Sequence, residues 1–170
     1  TPLVDLTLLA YINLDANKLS DITPLSKLTE LWSLSLGGTG ISDLSPIANL
    51  TKIRRLCLHN NQISDIRPLV NLTNLSYLNL DNSYLNLDNN QITDITPLIE
   101  NTGISGTINL KGNPLNNTAL STHIPALEAR GITVEYDIPE GVVLFKDANL
   151  EKAIRDALGI PTELLKKEDL

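Results

Sequence analysis

Cys57 and His59 are the side chains of this 170-residue chain whose types could supply nucleophilic chemistry. A thiol acts as a nucleophile when a base lies within hydrogen-bond reach and a third group orients that base. The two residues occupy outward positions on one predicted strand, about 7 Å apart, and no third group is evident near them. His123 falls in a predicted helix, where we expect a packing or surface role. We therefore predict no catalytic residues and no enzymatic activity.

Aspartate recurs at equivalent positions along the chain, a pattern that raises the question of a cation site. Calcium requires six to eight oxygen ligands that converge on one loop, and no stretch matches the EF-hand loop pattern. A short polar residue and a proline follow most of these aspartates, so we expect the carboxylates to cap turns in solvent. We predict no metal site and no cofactor. The recurring aspartates are Asp21, Asp43, Asp65 and Asp94.

The aspartates belong to a repeat with a period of 22 residues. Pro2, Pro24, Pro46 and Pro68 are each 22 positions apart, and several apolar columns keep the same spacing. Several columns at one fixed period indicate a solenoid, in which each unit buries its apolar face against its neighbours. The columns are Ile12/Leu34/Leu56/Leu78, Leu14/Leu36/Leu58/Leu80, Leu19/Ile41/Ile63 and Ile22/Leu44/Ile66.

One complete unit, IRRLCLHNNQISDIRPL at 53–69, shows what each repeat is expected to form. Its start alternates apolar and polar residues, which predicts a strand with leucines inward and polar side chains outward. Asn17 and Asn61 follow their strands and are expected to bond to the adjacent repeat, while Thr39 interrupts this ladder. A Ser or Thr before proline is predicted to cap a short 3₁₀ or α turn, with Arg67 replacing that cap in the third repeat.

The pattern LxxLxLxxNxIxDIxPLxxLT is similar to the 22-residue leucine-rich repeat of bacterial internalin-type surface proteins, over essentially the whole chain. The resemblance implies an α/β solenoid, a leucine-rich repeat horseshoe with a parallel concave sheet, short 3₁₀ or helical convex segments and a helical C-terminal appendage. It also implies non-catalytic protein recognition on the concave face, in an extracellular or surface-displayed bacterial protein.

We predict three regions. Residues 1–100 form the repeats, the first of which is truncated and leaves its strand as an open sheet edge. Residues 101–137 resemble the C-terminal flank of such repeat blocks, with a strand at 107–110, a helical stretch at about 118–130 that Pro125 splits or kinks, and a strand at 132–136. Residues 138–170 form a helical segment that resembles the N-terminal cap of a further repeat block.

A seven-residue duplication at 77–90 breaks the period. YLNLDNS at 77–83 is followed by YLNLDNN at 84–90, with six of seven residues identical. One copy can occupy the strand position and the other must bulge out. The first copy preserves the spacing from Leu75, whereas the second preserves Asn90 and the spacing to Ile92 and Pro97. We expect the second copy to lie in the sheet.

Residues 147–158 are predicted to form an amphipathic helix with an Asp cap and a Gly stop. Leu150, Ile154, Ala157 and Leu158 share one face, and charged pairs occupy the other. A cap-like helix at this place favours a chain that continues into a second block. The alternative is that the helix covers the open first strand of a neighbouring copy, head to tail; such contacts generate filaments when they do not close.

The overall charge limits the classes of partner. The net charge is −7, so no basic stripe is available to neutralise phosphates, and we expect no nucleic-acid partner. No apolar run approaches the roughly 20 residues that span a bilayer, so no membrane insertion is expected. A single cysteine excludes an internal disulfide. The N-terminus lacks a signal-peptide pattern and begins inside a repeat, which suggests a fragment.

The predicted functional surface is the concave face. Aromatic residues make up 4% of the chain, yet the single Trp and three of the four Tyr project there. Tyr, Trp and Arg are the residues that anchor protein interfaces. We expect a protein ligand of unknown identity; the alternatives are an intracellular regulatory scaffold, similar to phosphatase-binding repeat proteins, and a structural spacer or self-assembling unit. The predicted binding residues are Tyr11, Asn13, Asp15, Trp32, Ser35, Arg54, Arg55, His59, Tyr77, Asn79, Tyr84 and Asn86.

Overall fold

Six short strands form one parallel sheet in the computed structural model of the chain, which describes residues 3, 5–75, 84–145, 147–160 and 163–170. The strands follow one another across the sheet in chain order, and each pairs in parallel with the next. This arrangement confirms the predicted solenoid. The strands are β1 Tyr11–Asn13, β2 Ser33–Ser35, β3 Arg55–Cys57, β4 Tyr84–Asn86, β5 Thr107–Asn109 and β6 Thr133–Glu135.

Short helical turns return the chain from each strand to the next. The first three returns are 3₁₀ turns at Thr23–Lys27, Ser45–Ile47 and Arg67–Leu69, each with its proline in the first helical positions. The later elements are helix α1 Thr96–Glu100, a π turn Ala119–His123, α2 Ile124–Ala129, α3 Ala148–Leu158 and a 3₁₀ turn Lys167–Asp169.

The hydrophobic core lies between the sheet and these turns. Leu34, Leu56, Leu85 and Ile108 stack in one register along the sheet, and all four are buried. Ile12, their equivalent in β1, is only partly buried because β1 is the edge strand. A repeat therefore completes its burial by packing between two neighbours.

The second copy of the duplicated heptad provides β4. Leu85 pairs with Leu56 of β3 and with Ile108 of β5, so Tyr84–Asn86 occupies the strand position. This confirms the expectation that the second copy lies in the sheet. Residues 77–83, the first copy, lie outside the described residues. With the second copy in the sheet, Asn90 keeps the position of Asn61 relative to its strand.

Buried asparagines connect successive repeats. Asn61 Nδ2 donates to Leu36 O (2.8 Å) in the preceding repeat and to Leu58 O (2.9 Å) in its own. Asn90 repeats this geometry, donating to the Leu58 and Leu87 carbonyls and accepting from the amide of Ile63. Each Asn thereby pairs backbone groups that the strands leave unbonded, which is the ladder that the sequence predicts.

Thr39 takes part in this ladder instead of only interrupting it. Its hydroxyl donates to Leu36 O (2.8 Å), as an Asn amide would, and its backbone amide donates to Asn61 Oδ1 (3.1 Å). Asn61 Oδ1 also accepts from the backbone amides of Gly40 and Ile41. Asn61 therefore satisfies most of the polar backbone at the turn of the repeat before it.

The expected Ser/Thr caps are wrong, because the aspartate two residues earlier accepts the amide at each turn. Asp94 Oδ1 accepts from Thr96 N (2.9 Å) and from Thr96 Oγ1 (2.6 Å). Asp21 and Asp65 do the same for the first and third turns. Hydrogen bonds from Thr23, Arg67 and Thr96 hold the pKa of Asp21, Asp65 and Asp94 below the usual range. The recurring aspartates thus cap turns.

The predicted helical stretch changes from a π turn to an α-helix just before Pro125, the residue at which the sequence predicted a split or a kink. The wider π turn at Ala119–His123 runs directly into α2, with Pro125 in the first turn of α2. A π turn relieves the helix of hydrogen bonds to the missing proline N–H. Gly131, with φ 80°, then ends the helix as expected.

Helix α3 has the predicted caps, but leucines of its apolar face are exposed and Arg155 is buried. Asp147 accepts from the amides of Asn149 and Leu150, and Gly159 ends the helix at φ 70°. Arg155 is buried: it pairs with Glu151 (2.8 Å) and donates to Asn117 Oδ1 (3.1 Å) of the preceding region. Leu150, by contrast, is 53% exposed, so α3 packs through the side that carries Glu151 and Arg155, whereas Lys152 and Asp156 stay in solvent. The proposed region boundaries at 100 and 137 stay predictions.

Replacing Asn61 with alanine should strongly destabilise the fold. The change leaves buried carbonyl and amide groups of two repeats without partners, at about 1–3 kcal/mol for each buried group. We expect the free energy of unfolding in urea to fall by at least about 2 kcal/mol. Asn17→Ala is the control, because Asn17 is exposed and bonds only within its own repeat. Equal losses in the two variants would contradict the ladder as a stabilising interaction.

Replacing Ala16 with glycine should stabilise the chain. The turn after β1 holds Ala16 at φ 59°, a left-handed conformation that costs a residue with a Cβ roughly 1–2 kcal/mol. The next repeat has Gly38, at φ 64°, in the equivalent position. We expect a gain of about 1 kcal/mol in urea unfolding. Asn60→Gly should change stability by only a few tenths, because asparagine tolerates this conformation; a destabilised Ala16→Gly variant would refute the argument.

Candidate functional site: the concave face

The register of the first three strands arranges the concave side chains in rows. Tyr11, Ser33 and Arg55 are aligned across β1, β2 and β3. A second row precedes the strands, where Trp32 N donates to Ala10 O (2.9 Å) and Arg54 N donates to Trp32 O (2.8 Å). Each large side chain therefore has a fixed neighbour one strand away, at about 4.8 Å.

Small residues in β2 produce a depression in this face. Ser33 and Ser35 lie between larger residues of β1 and β3, so the side chains of β2 project less far from the sheet than those of its neighbours. The resulting cavity has a volume of about 310 Å³. We call it the concave trough; its lining is Tyr11, Asn13, Trp32, Ser33, Leu34, Ser35, Arg55, Leu56 and Cys57.

A second depression lies beside the trough, just before the strands. It has a volume of about 640 Å³, and Trp32 lines both depressions. The sequence did not single it out, although Lys52 follows Glu30 by one repeat length and their 2.6 Å ion pair forms part of its wall. We call it the rim groove; its lining is Leu8, Ala10, Glu30, Trp32, Lys52, Arg54 and Asn74.

The aromatic side chains between and beside these depressions are open to solvent. Trp32 is 43% exposed and Tyr11 is 54% exposed. A tryptophan folded flat onto the sheet as part of the core would be buried. Trp32 instead separates the trough from the groove, with a large apolar surface facing outward.

An aspartate on this part of the face has hydrogen-bond partners within the chain, whereas two arginines have none in the described residues. Asp15 Oδ1 accepts from Ser35 Oγ (2.7 Å) and from Gly37 N (2.6 Å). Arg54 and Arg55 are both exposed, and neither guanidinium has an acceptor within the part of the chain that the structure describes. Asp15 therefore has donors within the chain, whereas these two cations have no acceptor in that part of it. Asp88, which follows β4, leaves Oδ1 buried without a donor in the described residues.

Cys57 and His59 are closer together than the strand spacing suggested. Cys57 Sγ lies 2.9 Å from His59 Nδ1, because the two side chains turn towards each other along β3. The His59 ring packs on Gly37, where a Cβ would lie 2.1 Å from Cε1. The expected separation of about 7 Å holds for the backbone positions, not for the reactive atoms.

The surroundings of Cys57 disfavour a nucleophilic role even with this contact. Burial raises the pKa of the Cys57 thiol, and the negative charge of Asp15 raises it further, although a hydrogen bond with Ser35 acts in the opposite direction. A thiolate is the reactive form, so the thiol is kept in its less reactive state at neutral pH. The pair is better understood as a packed polar contact on β3.

The remaining predicted residues extend the face beyond β3. Asn86 in β4 pairs with Cys57 of β3 and accepts from the amide of Asp88 (3.1 Å). The backbone of Tyr84 is aligned with Thr107. Tyr77 and Asn79 lie outside the described residues.

The described residues contain no group of three or more His, Cys, Asp or Glu side chains arranged to hold a metal ion. Within the same residues, no helix has the length and apolarity to cross a membrane.

Comparison with known proteins gives both a sequence match and structural matches. A family model described as leucine-rich repeats in two copies matches residues 29–69 and 51–100. None of the curated proteins matches the sequence significantly.

Three solved structures share the fold. Internalin C2 of Listeria monocytogenes is 28% identical, with a TM-score of 0.64 over 81% of this chain and 65% of that one. The internalin inlF of the same species is 27% identical, with a TM-score of 0.55 over 82% and 46%. A leucine-rich repeat protein of Leptospira interrogans, at 23% identity and a TM-score of 0.54 over 79% and 38%, shows the fold alone.

This chain thus spans less than two thirds of each of those three proteins. The leucine-rich repeat fold is a typical protein-interaction module and is generally non-catalytic. The 22-residue period, the parallel sheet with its asparagine ladder and these matches together show a leucine-rich repeat protein that is similar to the internalins.

Proposed function

We propose that this chain is a non-catalytic protein-binding module that engages its partner through the concave trough and the rim groove. The observation that carries the proposal is the exposed Trp32, which stands between two depressions and lines both. Trp, Tyr and Arg dominate the energetics of protein interfaces, and Tyr11, Arg54 and Arg55 surround Trp32 here. A partner that buried this cluster would gain a central apolar anchor.

The site is largely formed before a partner arrives. The backbone of Trp32 is held on both sides, by Ala10 O and by the amides of Arg54 and Arg55, at 2.8–3.1 Å. Asp15 is held by Ser35, which lines the trough, and by Gly37. Binding to a rigid face orders few side chains, so less of the contact energy is lost to entropy.

We also propose that the protein acts outside the bacterial cell or on its surface. The similarity to Listeria internalins supports this location. The alternative is an intracellular regulatory scaffold with similar repeats. The two are separated by the full-length gene: a signal peptide and a surface anchor support the first, and their absence from the complete coding sequence supports the second.

Trp32→Ala should weaken partner binding by at least about tenfold, because it removes the anchor that both depressions share. The partner would be isolated on the immobilised wild-type chain, and its Kd measured by calorimetry with each variant. Tyr11→Ala should have a smaller effect in the same direction. Lys27→Ala, an exposed change in the first convex turn, is the control and should leave the Kd unchanged. A wild-type Kd for Trp32→Ala would place the binding surface elsewhere.

A second candidate function is self-assembly, and the orientation of α3 favours it. Leu150 and Leu158 on its apolar face are 53% and 42% exposed. At the other end of the solenoid, Ile12 and Leu14 are only partly buried beside the edge strand β1. We propose that α3 of one copy can cover β1 of the next, head to tail.

Self-assembly predicts a molecular mass that rises with concentration in light scattering. Leu150→Ser together with Leu158→Ser should abolish the rise, because the variant lacks the apolar face of α3. Lys152→Ser on the exposed polar side of the same helix is the control and should behave as wild type. A wild-type chain that stays monomeric over the whole series would exclude this function.

A further inference from the structure

We infer that the partner segment that occupies the concave trough and the rim groove is acidic, with one carboxylate for Arg54 and another for Arg55. The inference rests on the proposed protein-binding function and adds the chemistry of the partner. It follows from the state of the arginines, from the neighbouring charges and from the shape of the face.

Arg54 and Arg55 differ from the other arginines of the chain. Arg67 pairs with Asp65, Arg155 pairs with Glu151, and Arg130 donates to the carbonyls of Ile99 and Asn101. Within the described residues, Arg54 and Arg55 have no such acceptor, and both are exposed. An arginine carries five donors in a planar fork that matches a carboxylate, so each offers a complete unfilled recognition group.

Two carboxylates on this part of the chain already have donors. Asp15 accepts from Ser35 and Gly37, and Glu30 pairs with Lys52 in the rim groove. Lys52 and Glu30 cancel each other. Asp15 keeps its negative charge, because its donors Ser35 Oγ and Gly37 N are neutral, but it forms no ion pair with Arg54 or Arg55. On a chain that carries −7, these arginines are two exposed cations without an ion-pair partner in the described residues.

The two arginines serve different depressions. Their backbone amides both donate to Trp32 O, at 2.8 and 3.1 Å, which fixes both arginines one strand away from Trp32. Arg54 lines the rim groove with Leu8, and Arg55 lines the trough with Tyr11. A segment that crosses Trp32 therefore meets one cation and one apolar side chain in each depression, which fits an extended peptide with acidic and apolar residues.

The same charges argue against a polyanion. Nucleic acids and anionic bilayers bind through many phosphate contacts spread along a basic surface. This face offers two unpaired cations, and the remaining charge of the chain repels a large anionic surface. A short segment with two carboxylates gains both contacts and avoids that repulsion.

The test uses the full chain, fluorescently labelled, on an array of random decapeptides. Spots that bind the wild type and are lost with Trp32→Ala define ligands of the concave face. Each such peptide is then synthesised in two forms, one with its Asp and Glu residues and one with Asn and Gln in their places. Fluorescence anisotropy gives both dissociation constants.

We expect the carboxylate form to bind at least about tenfold more tightly than the amide form, as for hydrogen bonds to charged groups. The Arg54→Gln, Arg55→Gln double variant should reduce this preference to less than about twofold. Lys27→Gln with Arg67→Gln removes the same charge from the convex turns and should retain the preference. Unchanged thermal unfolding of both double variants would show that each is folded.

Four outcomes would overturn the inference. Trp32-dependent peptides that bind equally well as amides would refute the acidic chemistry and leave the proposed function intact. Equal losses in the two double variants would indicate general charge attraction instead of these two arginines. Arginine-dependent binding to phosphatidylserine vesicles, independent of Trp32, would indicate a membrane ligand. The absence of any Trp32-dependent peptide would count against the proposed function and the inference together.

Discussion

Each repeat depends on its neighbour for both backbone hydrogen bonds and apolar cover. Strands of three residues are too short to hold a sheet individually, and the buried asparagines complete the bonding where each strand ends. Asn61 alone bonds to the carbonyls of Leu36 and Leu58 and to the amides of Thr39, Gly40 and Ile41. Stability is therefore a property of the interfaces between repeats, as expected for a quasi-one-dimensional fold.

This coupling explains how the chain tolerates a duplication of seven residues. The inward leucines and the ladder asparagine form one block, in which Leu85, Leu87 and Asn90 keep the relative positions of Leu56, Leu58 and Asn61. A strand with its leucines and ladder asparagine in these positions satisfies both the core and the turn that follows it. The second copy meets that condition, which is why the chemistry of the turn selects it.

Much of the fold could be predicted from the sequence because the same apolar and polar positions recur every 22 residues. A leucine that recurs every 22 residues can be assigned to the core, and Asn90 identifies its own strand. Features that depend on one neighbour in space could not be predicted. The Cys57–His59 contact requires the side-chain torsions, and the burial of Arg155 requires knowing that Asn117 lies beside α3. The sequence shows the recurring aspartates, but it suggested that the Ser or Thr before each proline caps the turn. In the structure the aspartate two residues earlier accepts the backbone amide.

The candidate site shows the same division. Tyr11 and Arg55 could be placed on one face from the sequence because alternation along a strand determines the direction of a side chain. The sequence did not reveal the rim groove, since that depression is formed by residues that precede the strands and follow no alternation. Nor did it show that Asp15 is occupied by Ser35 and Gly37 while Arg54 and Arg55 remain available.

The small residues of β2 have a consequence for how such a protein changes over evolutionary time. Leu34 points inward between Ser33 and Ser35, so the residue that stabilises the repeat is physically separated from those that shape the face. A substitution at Ser33 or Ser35 alters the depth of the trough and leaves the core unchanged. The recognition surface can therefore diversify one repeat at a time, at little risk to folding. A new specificity can arise when the outward residues of a single strand are replaced.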